Sequence, residues 1–270
     1  MSDLVSIVMP AYNNEQYVGA AIRTVLAQTH RDWELLFVDD CSNDKTVEIA
    51  QSFRDPRIRV FRNEKNCGAA VSRNRGLREA KGTWVAFLDA DDWWHPEKLA
   101  RQLRFMKENG YAFTCTDLRR KTEGVWSKVV RTGPLRVGKW RMYRYCYFST
   151  ITVMFHRATI GLVQIADLKK NNDYAMWLKM IEKAECHRLP ECLSFYIKHG
   201  KSISSGSKFK LIRWHYVLFR KGQGFSPIVS FLLTLNNLIF GIFKNWLANR
   251  HPTPSDIQMT RETEAVALGP

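Results

Sequence analysis

The sequence predicts an α/β fold in which helices flank a mainly parallel central sheet. Short apolar runs rich in β-branched and aromatic residues recur along the first third of the chain, at 4–9, 33–38, 58–61 and 83–88. Segments with apolar residues at helical spacing stand between them, for example at 17–26 and 68–80. Strands that alternate with helices of this length form right-handed βαβ units, so neighbouring strands should be parallel.

Length and composition limit the class of protein. The 270 residues, 45% of them hydrophobic, suffice for one large domain or two closely joined halves. Six scattered cysteines without CxxC spacing indicate reduced thiols in the cytosol rather than a zinc site. A formal net charge of +15 indicates an anionic partner, which could be nucleic acid, an anionic membrane or a phosphorylated substrate.

Three of the predicted strands end in residues suited to ligand binding. In chain order these residues are Pro10, Ala11 and Tyr12; Asp39 and Asp40; and Asp89, Asp91 and Asp92. Ligands of parallel sheets bind beyond the carboxyl ends of the strands. We therefore expect these residues to meet in one cleft.

The acidic segment at 89–92 carries the strongest chemical signal. Asp89 and Asp91 would point to the same side of an extended chain, and converging carboxylates suit Mg²⁺ or Mn²⁺. The structural alternative is an acidic N-cap for a helix that begins near Pro96 and Glu97. The chain has no glycine-rich dinucleotide or phosphate loop, so a bound phosphate would need a metal and basic side chains.

Four motifs together resemble the family-2 inverting glycosyltransferases of GT-A fold. They are V-S-I-V-M-P-A-Y-N-N, L-L-F-V-D-D-C-S-N-D, G-A-A-V-S-R-N-R-G and A-K-G-T-W-V-A-F-L-D-A-D-D, in the family's order over residues 4–96. The resemblance implies a GT-A-like fold and a metal-dependent enzyme that uses Mn²⁺ or Mg²⁺. Its donor would be a nucleotide-diphosphate sugar, with UDP favoured over dTDP and GDP. Its acceptor would be the hydroxyl of a lipid-linked or other saccharide in surface polysaccharide biosynthesis.

The resemblance also assigns roles to single residues. It implies donor binding by Pro10, Ala11, Tyr12, Asp40 and Arg73, whereas Asp39 would either share this role or only cap the next helix. Asp91 is our first choice as metal ligand, joined by Asp92 and by Asp89, which could instead bind the ribose. A loop near 196–204 resembles one that closes over the donor, where His199 and Lys201 would reach the diphosphate. A basic surface loop would have the same composition.

A second motif, at 171–178, supplies a candidate general base. Trp177 and Leu178 belong to a predicted helix, and Asp173 would lie in its first turn, where the helix dipole stabilises a carboxylate. A purely structural helix-start Asp is the alternative. Family members carry an acidic pair, usually Glu-Asp, before a similar Tyr-x-x-Trp-Leu run, and the Asp is taken as the catalytic base. Here Asn172 replaces the first member of that pair.

The segment 119–144 contains nine Lys or Arg residues against Glu123 alone, with tryptophans and tyrosines interleaved. Such a pattern could bind nucleic acid, because stacking and phosphate attraction are both available. It could equally stack a sugar beside the pyrophosphate of a lipid carrier, or form a solvated hairpin face. We favour the acceptor interpretation.

The C-terminal part changes character twice. Residues 208–221 are basic and aromatic, whereas 222–243 carry no charge and show polar residues every three or four positions. An interfacial membrane helix is our preferred interpretation, ahead of a helix packed on the protein and of a membrane span. Pro, Thr and Glu dominate 251–270, for which we predict a disordered tail.

These interpretations divide the chain into four parts. We expect a nucleotide-sugar-binding half at 1–96, an acceptor-binding and catalytic half at 97–207, a membrane-associating helical segment at 208–250 and the tail at 251–270. The protein would be cytoplasmic and bound peripherally to the inner face of the membrane through 208–247. A basic nucleic-acid-binding module and an inactive GT-A scaffold are the competing classes; we expect no nucleic-acid partner.

Overall fold

The apolar runs of the N-terminal third form the parallel centre of a mixed sheet. The strands are β1 (Val5–Ala11), β2 (Trp33–Asp39), β3 (Ile58–Arg62) and β4 (Trp84–Phe87). β1 lies between β2 and β4 and is parallel to both, and β3 extends the parallel set beyond β2. The strands β1, β2 and β4 are fully buried, which explains why they read as continuous apolar runs rather than alternating ones.

The coordinates come from a computed structural model that describes residues 3–165, 168, 170–199 and 208–269. Side chains within 208–211 and 242–247 lie outside the description.

Three helices connect the parallel strands: α1 (Val18–Leu26), α2 (Thr46–Ser52) and α3 (Ala69–Glu79). α3 packs unusually close to the sheet at Gly76, where a Cβ atom would lie 2.6 Å from Cγ1 of Val8. A side chain at position 76 would therefore push α3 away from β1. The close contact brings the side chains one turn earlier on α3 to the carboxyl edge of the sheet.

The second part of the chain widens the sheet with strands of both directions. Its elements are β5 (Trp93–Trp94), α4 (Lys98–Asn109), β6 (Phe113–Thr122), β7 (Val125–Arg131), β8 (Arg136–Val137), α5 (Lys139–Arg144), β9 (Met154–His156), α6 (Arg157–Ile160), α7 (Asn172–Met180) and β10 (Cys186–Lys198). The strand order is β7-β6-β9-β4-β1-β2-β3, and β10 pairs with β6 in parallel and with β5 and β8 in antiparallel fashion. The structure is thus the α/β fold with a mostly parallel sheet that the sequence predicts.

The two predicted halves share one interior. A single hydrophobic cluster contains Val8 and Phe87 from the first half together with Trp177 from the second. Thr150–Thr152 form a 3₁₀ turn just before β9. This turn contacts α7, because the Thr150 hydroxyl donates to Asp173.

The C-terminal region contains α8 (Lys208–Val217), a π-helical turn (Leu218–Gly222), α9 (Pro227–Leu247), the short β11 (Asn249–Arg250) and α10 (Pro254–Leu268). β11 pairs with β7 at the edge of the sheet. Among the residues that the structure describes, no helix combines the length and apolar character that crossing a bilayer requires.

The prediction of a disordered tail at 251–270 is wrong, because residues 254–268 form α10. Thr253 caps this helix in a reciprocal capping box with Asp256, and Pro254 stands at a first-turn position that suits proline. The helix packs on α1 and the β6–β7 hairpin: Arg23 Nη2 donates to the Ala267 carbonyl over 2.6 Å, and Lys121 pairs with Glu264. Glu264, which looks solvated in the sequence, thus neutralises one cation of the basic hairpin.

α9 faces the domain with its polar stripe rather than with its apolar side. Ser230, Thr234 and Asn237 are buried, and Asn237 Nδ2 donates to the hydroxyl of Tyr174 over 2.9 Å. Six large apolar side chains of the helix are exposed instead, namely Ile228, Val229, Phe231, Leu232, Leu235 and Ile239. The sequence presents a helix packed on the protein and a helix with an apolar face for the membrane as alternatives. In the structure α9 packs on the domain and also exposes an apolar face.

Candidate active site

The ends of β1 and β2 lie side by side at the carboxyl edge of the sheet. Ala11 pairs with Asp39 in the strand register, and the backbone N–H of Asp40 donates to the Ala11 carbonyl over 2.8 Å. Pro10 and Ala11 are buried, whereas the side chain of Tyr12 is 44% exposed and available to stack on a ligand. The parallel sheet therefore gathers the first two predicted groups.

Asp39 and Asp40 hold the loops around this edge. Asp40 accepts hydrogen bonds from Asn63 Nδ2 (2.8 Å), Cys67 N (3.0 Å) and Gly68 N (2.6 Å), so it shapes the loop before α3. Asp39 Oδ2 accepts from Ser42 N at 3.0 Å in the loop before α2. Because the N-cap of α2 is Lys45, Asp39 does not cap that helix, which the sequence leaves as the alternative to donor binding. Asp39 Oδ1 is buried and has no hydrogen-bond partner among the described residues.

Asp89, which follows β4, is held by an arginine from α3. Arg73 Nη2 lies 2.5 Å from Asp89 Oδ1, and the Arg73 side chain is almost completely buried. Burial opposes the charge of Arg73, but Asp89 together with Asp173 and Asp91 keeps its pKa above the ordinary value. One guanidinium thus compensates several carboxylates.

Asp91 and Asp92 occupy different environments. Burial, reinforced by the charge of Asp89, raises the pKa of Asp91 to about 6. Asp92 is 1% exposed, its Oδ1 accepts from Ile197 N at 2.8 Å, and burial followed by the charges of Asp91 and Asp89 raises its pKa well above the usual range. Asp92 therefore joins the acidic segment to β10, whereas Asp91 has the more open position.

The acidic segment does not cap α4, which begins at Lys98 after the N-cap Glu97. Nor does it form a complete cage: in the described ranges no group of three His, Cys, Asp or Glu side chains could hold a metal ion. The charges of Asp89, Asp91 and Asp173 all act on the guanidinium of Arg73. This excess of negative charge fits a divalent cation whose coordination a diphosphate would complete.

His199 lies at the same edge. Its ring stacks on Tyr17 with a centroid separation of 3.6 Å, and it makes a hydrogen bond to the backbone of Asp91. Burial lowers the pKa of His199 while that hydrogen bond raises it. Lys201, the other basic residue predicted here, lies outside the described residues.

Asp173 stands in the first turn of α7, as predicted. Its Oδ1 accepts from Tyr174 N at 2.8 Å and its Oδ2 accepts from the Thr150 hydroxyl at 3.3 Å. Asn172 Oδ1 accepts from the backbone N–H of Asp173 at 2.7 Å. The side chain of Asp173 is half-buried and thus reachable by a substrate.

Arg73 links the two carboxylate sites, since the charges of Asp89, Asp91 and Asp173 all act on it. The sequence does not single out Thr150, because it stands among other small hydroxyl residues, Ser149 and Thr152, and belongs to no motif. The hydrogen bond from Asn237 to Tyr174 ties α9 to the residue after Asp173. The sequence does not predict this bond either, although it shows Asn237 as one of the regularly spaced polar residues of α9.

Residues 6–165 of this chain match the family described as glycosyl transferase family 2. The glycosyltransferase TuaG of Bacillus subtilis, named for teichuronic acid biosynthesis, is 36% identical over 81% of this chain and 88% of its own length. The chain belongs to glycosyl transferase family 2. An Escherichia coli family member is also similar, with 32% identity over 88% of this chain and 95% of its own length. It is named UDP-Glc:α-D-GlcNAc-diphosphoundecaprenol β-1,3-glucosyltransferase WfaP.

Solved structures show the same fold. The Staphylococcus aureus TarS fragment 1–349, in complex with UDP-GlcNAc, has a TM-score of 0.70 over 97% of this chain and 81% of its own, at 18% identity. The mannosyltransferase PcManGT from Pyrobaculum calidifontis, in complex with GDP-Man and Mn²⁺, has a TM-score of 0.63 over 98% and 76%, at 16% identity. The family-2 assignment and the GT-A-like fold predicted from the four motifs are therefore confirmed, and this protein is a glycosyltransferase.

Proposed function

We propose that this family-2 enzyme transfers a sugar, with inversion, from a UDP-sugar to a hydroxyl of a prenyl-diphosphate-linked saccharide in surface polysaccharide biosynthesis. The observation that carries the proposal is that Arg73, which pairs with Asp89 over 2.5 Å, also feels the charges of Asp91 and of Asp173 from the second half. Two separate carboxylate sites suit a displacement in which the diphosphate leaves from one face of the sugar and the acceptor attacks the opposite face. The names of TuaG and WfaP support the donor and acceptor classes.

The donor side is assigned to residues 1–96. The exposed ring of Tyr12 is suited to stack on the base, and Pro10, Ala11 and Asp40 form the wall beside it. Asp39, whose Oδ1 has no partner in the described chain, can accept a hydrogen bond from the nucleotide. Arg73 orients Asp89 toward the ribose and diphosphate region.

Asp91 is the proposed ligand of a Mn²⁺ or Mg²⁺ ion, supported by Asp89. A divalent cation bound there would neutralise charge that develops on the departing nucleoside diphosphate. We do not assign Asp92 as a direct ligand, because its Oδ1 is already bonded to Ile197 N and its side chain is 1% exposed. Asp92 instead fixes the distance between the acidic segment and β10, which carries His199 just beyond its end.

Asp173 is the proposed general base, within the acceptor half at 97–207. The Thr150 hydroxyl donates to Oδ2 of Asp173 over 3.3 Å, and the side chain is half-buried. A carboxylate in this position can take the proton from an acceptor hydroxyl as that oxygen attacks the sugar.

The proposed docking element for the cytoplasmic face of the membrane is 208–247, which includes α8 and α9. Each of the six exposed apolar side chains of α9 would gain roughly 1.5–3 kcal/mol on leaving water. Arg213, Arg220 and Lys221 are exposed or half-exposed nearby and would attract anionic lipids, each by about 1 kcal/mol. A nucleic-acid partner is not favoured, because α10 already neutralises part of the basic hairpin through the Lys121–Glu264 pair.

A screen of nucleotide sugars tests the proposed reaction. UDP-sugars should stabilise the protein thermally and be hydrolysed slowly, with both effects dependent on Mn²⁺ or Mg²⁺. If no nucleotide sugar binds while an RNA oligonucleotide binds in a salt-sensitive manner, the proposal fails.

Flotation with anionic vesicles tests the docking surface. Replacing Ile228, Phe231 and Leu235 with serine should abolish flotation without unfolding, since all three side chains are exposed. The matched control replaces Val125, Leu135 and Leu162, which are exposed elsewhere and should not matter. Wild-type protein that stays at the bottom of the gradient would contradict membrane docking.

A further inference from the structure

A cavity of about 420 Å³ lies on the side of the β6–β7 hairpin that faces away from α10. Its lining comes from alternate residues of the two strands, from the segment after α5, and from the junction of α9 and β11. The lining residues are Leu118, Arg120, Ser127, Val129, Arg131, Tyr145, Ala248 and Asn249. Because strand side chains alternate between faces, Arg120 and Arg131 point here while Arg119 and Lys121 point toward α10.

The lining is built for an anion. It presents two guanidinium groups together with the hydroxyls of Ser127 and Tyr145, and none of the described residues that form it is acidic. The guanidinium of Arg120 sits over the Tyr196 ring, 5.6 Å from its centroid. Arg131 Nη2 donates to Tyr145 Oη over 3.4 Å and to the Cys146 carbonyl over 3.2 Å. Both bonds use the same nitrogen, so Nη1 and Nε of Arg131 can still donate to a ligand.

The cavity belongs to the acceptor side of the enzyme. Cys146, whose carbonyl accepts from Arg131, bonds through its Sγ to the Phe148 carbonyl over 3.4 Å. Two residues further on, the Thr150 hydroxyl donates to Asp173 over 3.3 Å, so the segment that carries Tyr145 runs from the cavity to the proposed base. Ala248 directly follows α9, the helix whose exposed apolar face is the proposed membrane contact. It lies beside Arg131, because its carbonyl accepts from Thr132 N over 2.8 Å and Asn249 pairs with Arg131.

We propose that this cavity binds the diphosphate group of the prenyl-linked acceptor, through Arg120 and Arg131, an inference that rests on the function proposed above. The cavity is large enough to admit a diphosphate, and two arginines match the two phosphoryl groups. Anchored there, the lipid chain would pass along α9 toward the bilayer and the sugar would extend past Tyr145 toward Asp173. The enzyme would thereby distinguish a diphosphate-linked saccharide from a free one.

Binding of farnesyl diphosphate to the full chain, with the donor site saturated by UDP and Mg²⁺, tests the proposal by calorimetry. Arg120→Gln and Arg131→Gln should each weaken binding about tenfold or more, the loss expected for a hydrogen bond to a charged group. Lys128→Gln removes the same charge from an exposed position on the opposite face of the hairpin and should leave affinity unchanged. Because Arg120 is exposed, Arg120→Gln should leave the fold intact. It therefore measures the effect on binding even if Arg131→Gln destabilises the fold.

Two further arms identify the source of the anion. Farnesol should not bind the cavity, and vesicles of phosphatidylglycerol should not displace farnesyl diphosphate. Equal affinity of wild type and Arg120→Gln, or displacement by phosphatidylglycerol as effective as by farnesyl diphosphate itself, would overturn the assignment.

Kinetics separate this inference from the proposed reaction. Arg120→Gln should raise KM for a prenyl-diphosphate-linked acceptor and leave KM for the donor and for an alkyl glycoside acceptor unchanged. An unchanged KM for the lipid acceptor in an active enzyme refutes the cavity assignment alone. Absence of turnover with every nucleotide sugar refutes the proposed reaction, while the calorimetry still reports on the cavity.

Discussion

Arg73 Nη2 lies 2.5 Å from Oδ1 of Asp89, so a buried guanidinium from α3 is bonded to the carboxylate that follows β4. The contact depends on Gly76, one turn further along α3, where the helix approaches Val8 too closely for a side chain. Helix packing therefore decides the position of a charged group at the edge of the sheet. That group balances carboxylates that would otherwise repel one another.

Replacing Arg73 with Gln should weaken donor binding by about tenfold or more, since Asp89 and Asp91 lose their compensating charge. Calorimetry with a UDP-sugar measures the effect. Arg75→Gln is the control. Arg75 lies two residues after Arg73 on the same helix, but its guanidinium donates to the Arg62 carbonyl instead of to Asp89. Similar losses in both variants would mean that Arg73 acts only through the fold.

Asp91→Asn should abolish metal-dependent turnover while the fold survives. The pKa of Asp91 is raised to about 6, so the folded state holds this proton more tightly than the unfolded state does. The charged carboxylate consequently destabilises the metal-free protein above about pH 6. This destabilisation disappears when the pH falls below the pKa of Asp91 in the unfolded chain. Asp91→Asn should then melt higher than metal-free wild type near pH 8 but not near pH 4. Near-normal activity of this variant in Mg²⁺ or Mn²⁺ would contradict the assignment.

Asp173→Asn should reduce transfer by roughly 10²–10⁴-fold, the usual contribution of a general base. Donor affinity should stay almost unchanged, since Asp173 lies on α7 and its carboxylate accepts from Thr150 and from Tyr174 N. Thr150→Val, which removes only the 3.3 Å contact to Asp173, should have a much smaller effect. Parallel loss of donor affinity and rate in Asp173→Asn would instead mark the residue as structural.

The sequence predicts the parallel part of the fold well because local and global signals agree there. Buried strands such as β2 appear as unbroken apolar runs, and their ends carry Asp39, Asp89 and Asp91 at the edge where parallel sheets bind ligands. Asp173 is equally visible, since it opens a helix with a clear apolar face. These residues occupy the places that the sequence predicts, and their roles await the substitutions above.

Contacts between distant segments are the part that the sequence does not reveal. The Asp92–Ile197 bond and the Asp173–Thr150 bond join residues whose own neighbourhoods carry no matching pattern. The tail is a different case, because its signal is present: Thr253, Pro254 and Asp256 form a helix-start pattern. A composition rich in Pro, Thr and Glu is typical of disorder, whereas the helix-start pattern indicates a helix. The presence of α10 shows that the pattern is the better guide here.

Removal of residues 253–270 should therefore destabilise the protein strongly, whereas a disordered tail would be dispensable. α10 supplies Glu262 to His95 at 2.9 Å and pairs Glu264 with Lys121, so its loss uncovers the face behind the acidic segment. Thr253→Ala alone should cost about 1 kcal/mol through the lost cap. Thermal melting measures both, and a truncated chain that melts like wild type would contradict the packed helix.

Lys98 is fully buried, and burial lowers its pKa to about 7. The unfolded state binds this proton more tightly than the folded state does. Burial of the charged lysine therefore lowers the free energy of unfolding fully below about pH 7, and this destabilisation fades as the pH approaches the ordinary pKa of lysine. Lys98→Met should raise the free energy of unfolding by roughly 1–3 kcal/mol near pH 6.5, and by little near pH 9.5. The gain is reduced by the loss of the hydrogen bond from Lys98 Nζ to Gln102. Lys107→Met, exposed on the same helix, should change stability little, and a pH-independent gain for Lys98→Met would contradict the account.

The most direct test of the central claim is the anomeric configuration of the product. The enzyme would be incubated with a labelled UDP-sugar, Mn²⁺ and a prenyl-diphosphate-linked saccharide, and the new glycosidic bond analysed by NMR. We expect a single product whose configuration is inverted relative to the donor, formed only with the metal and lost in Asp91→Asn and Asp173→Asn. A product of retained configuration, or one formed equally well by Asp173→Asn, would contradict the account.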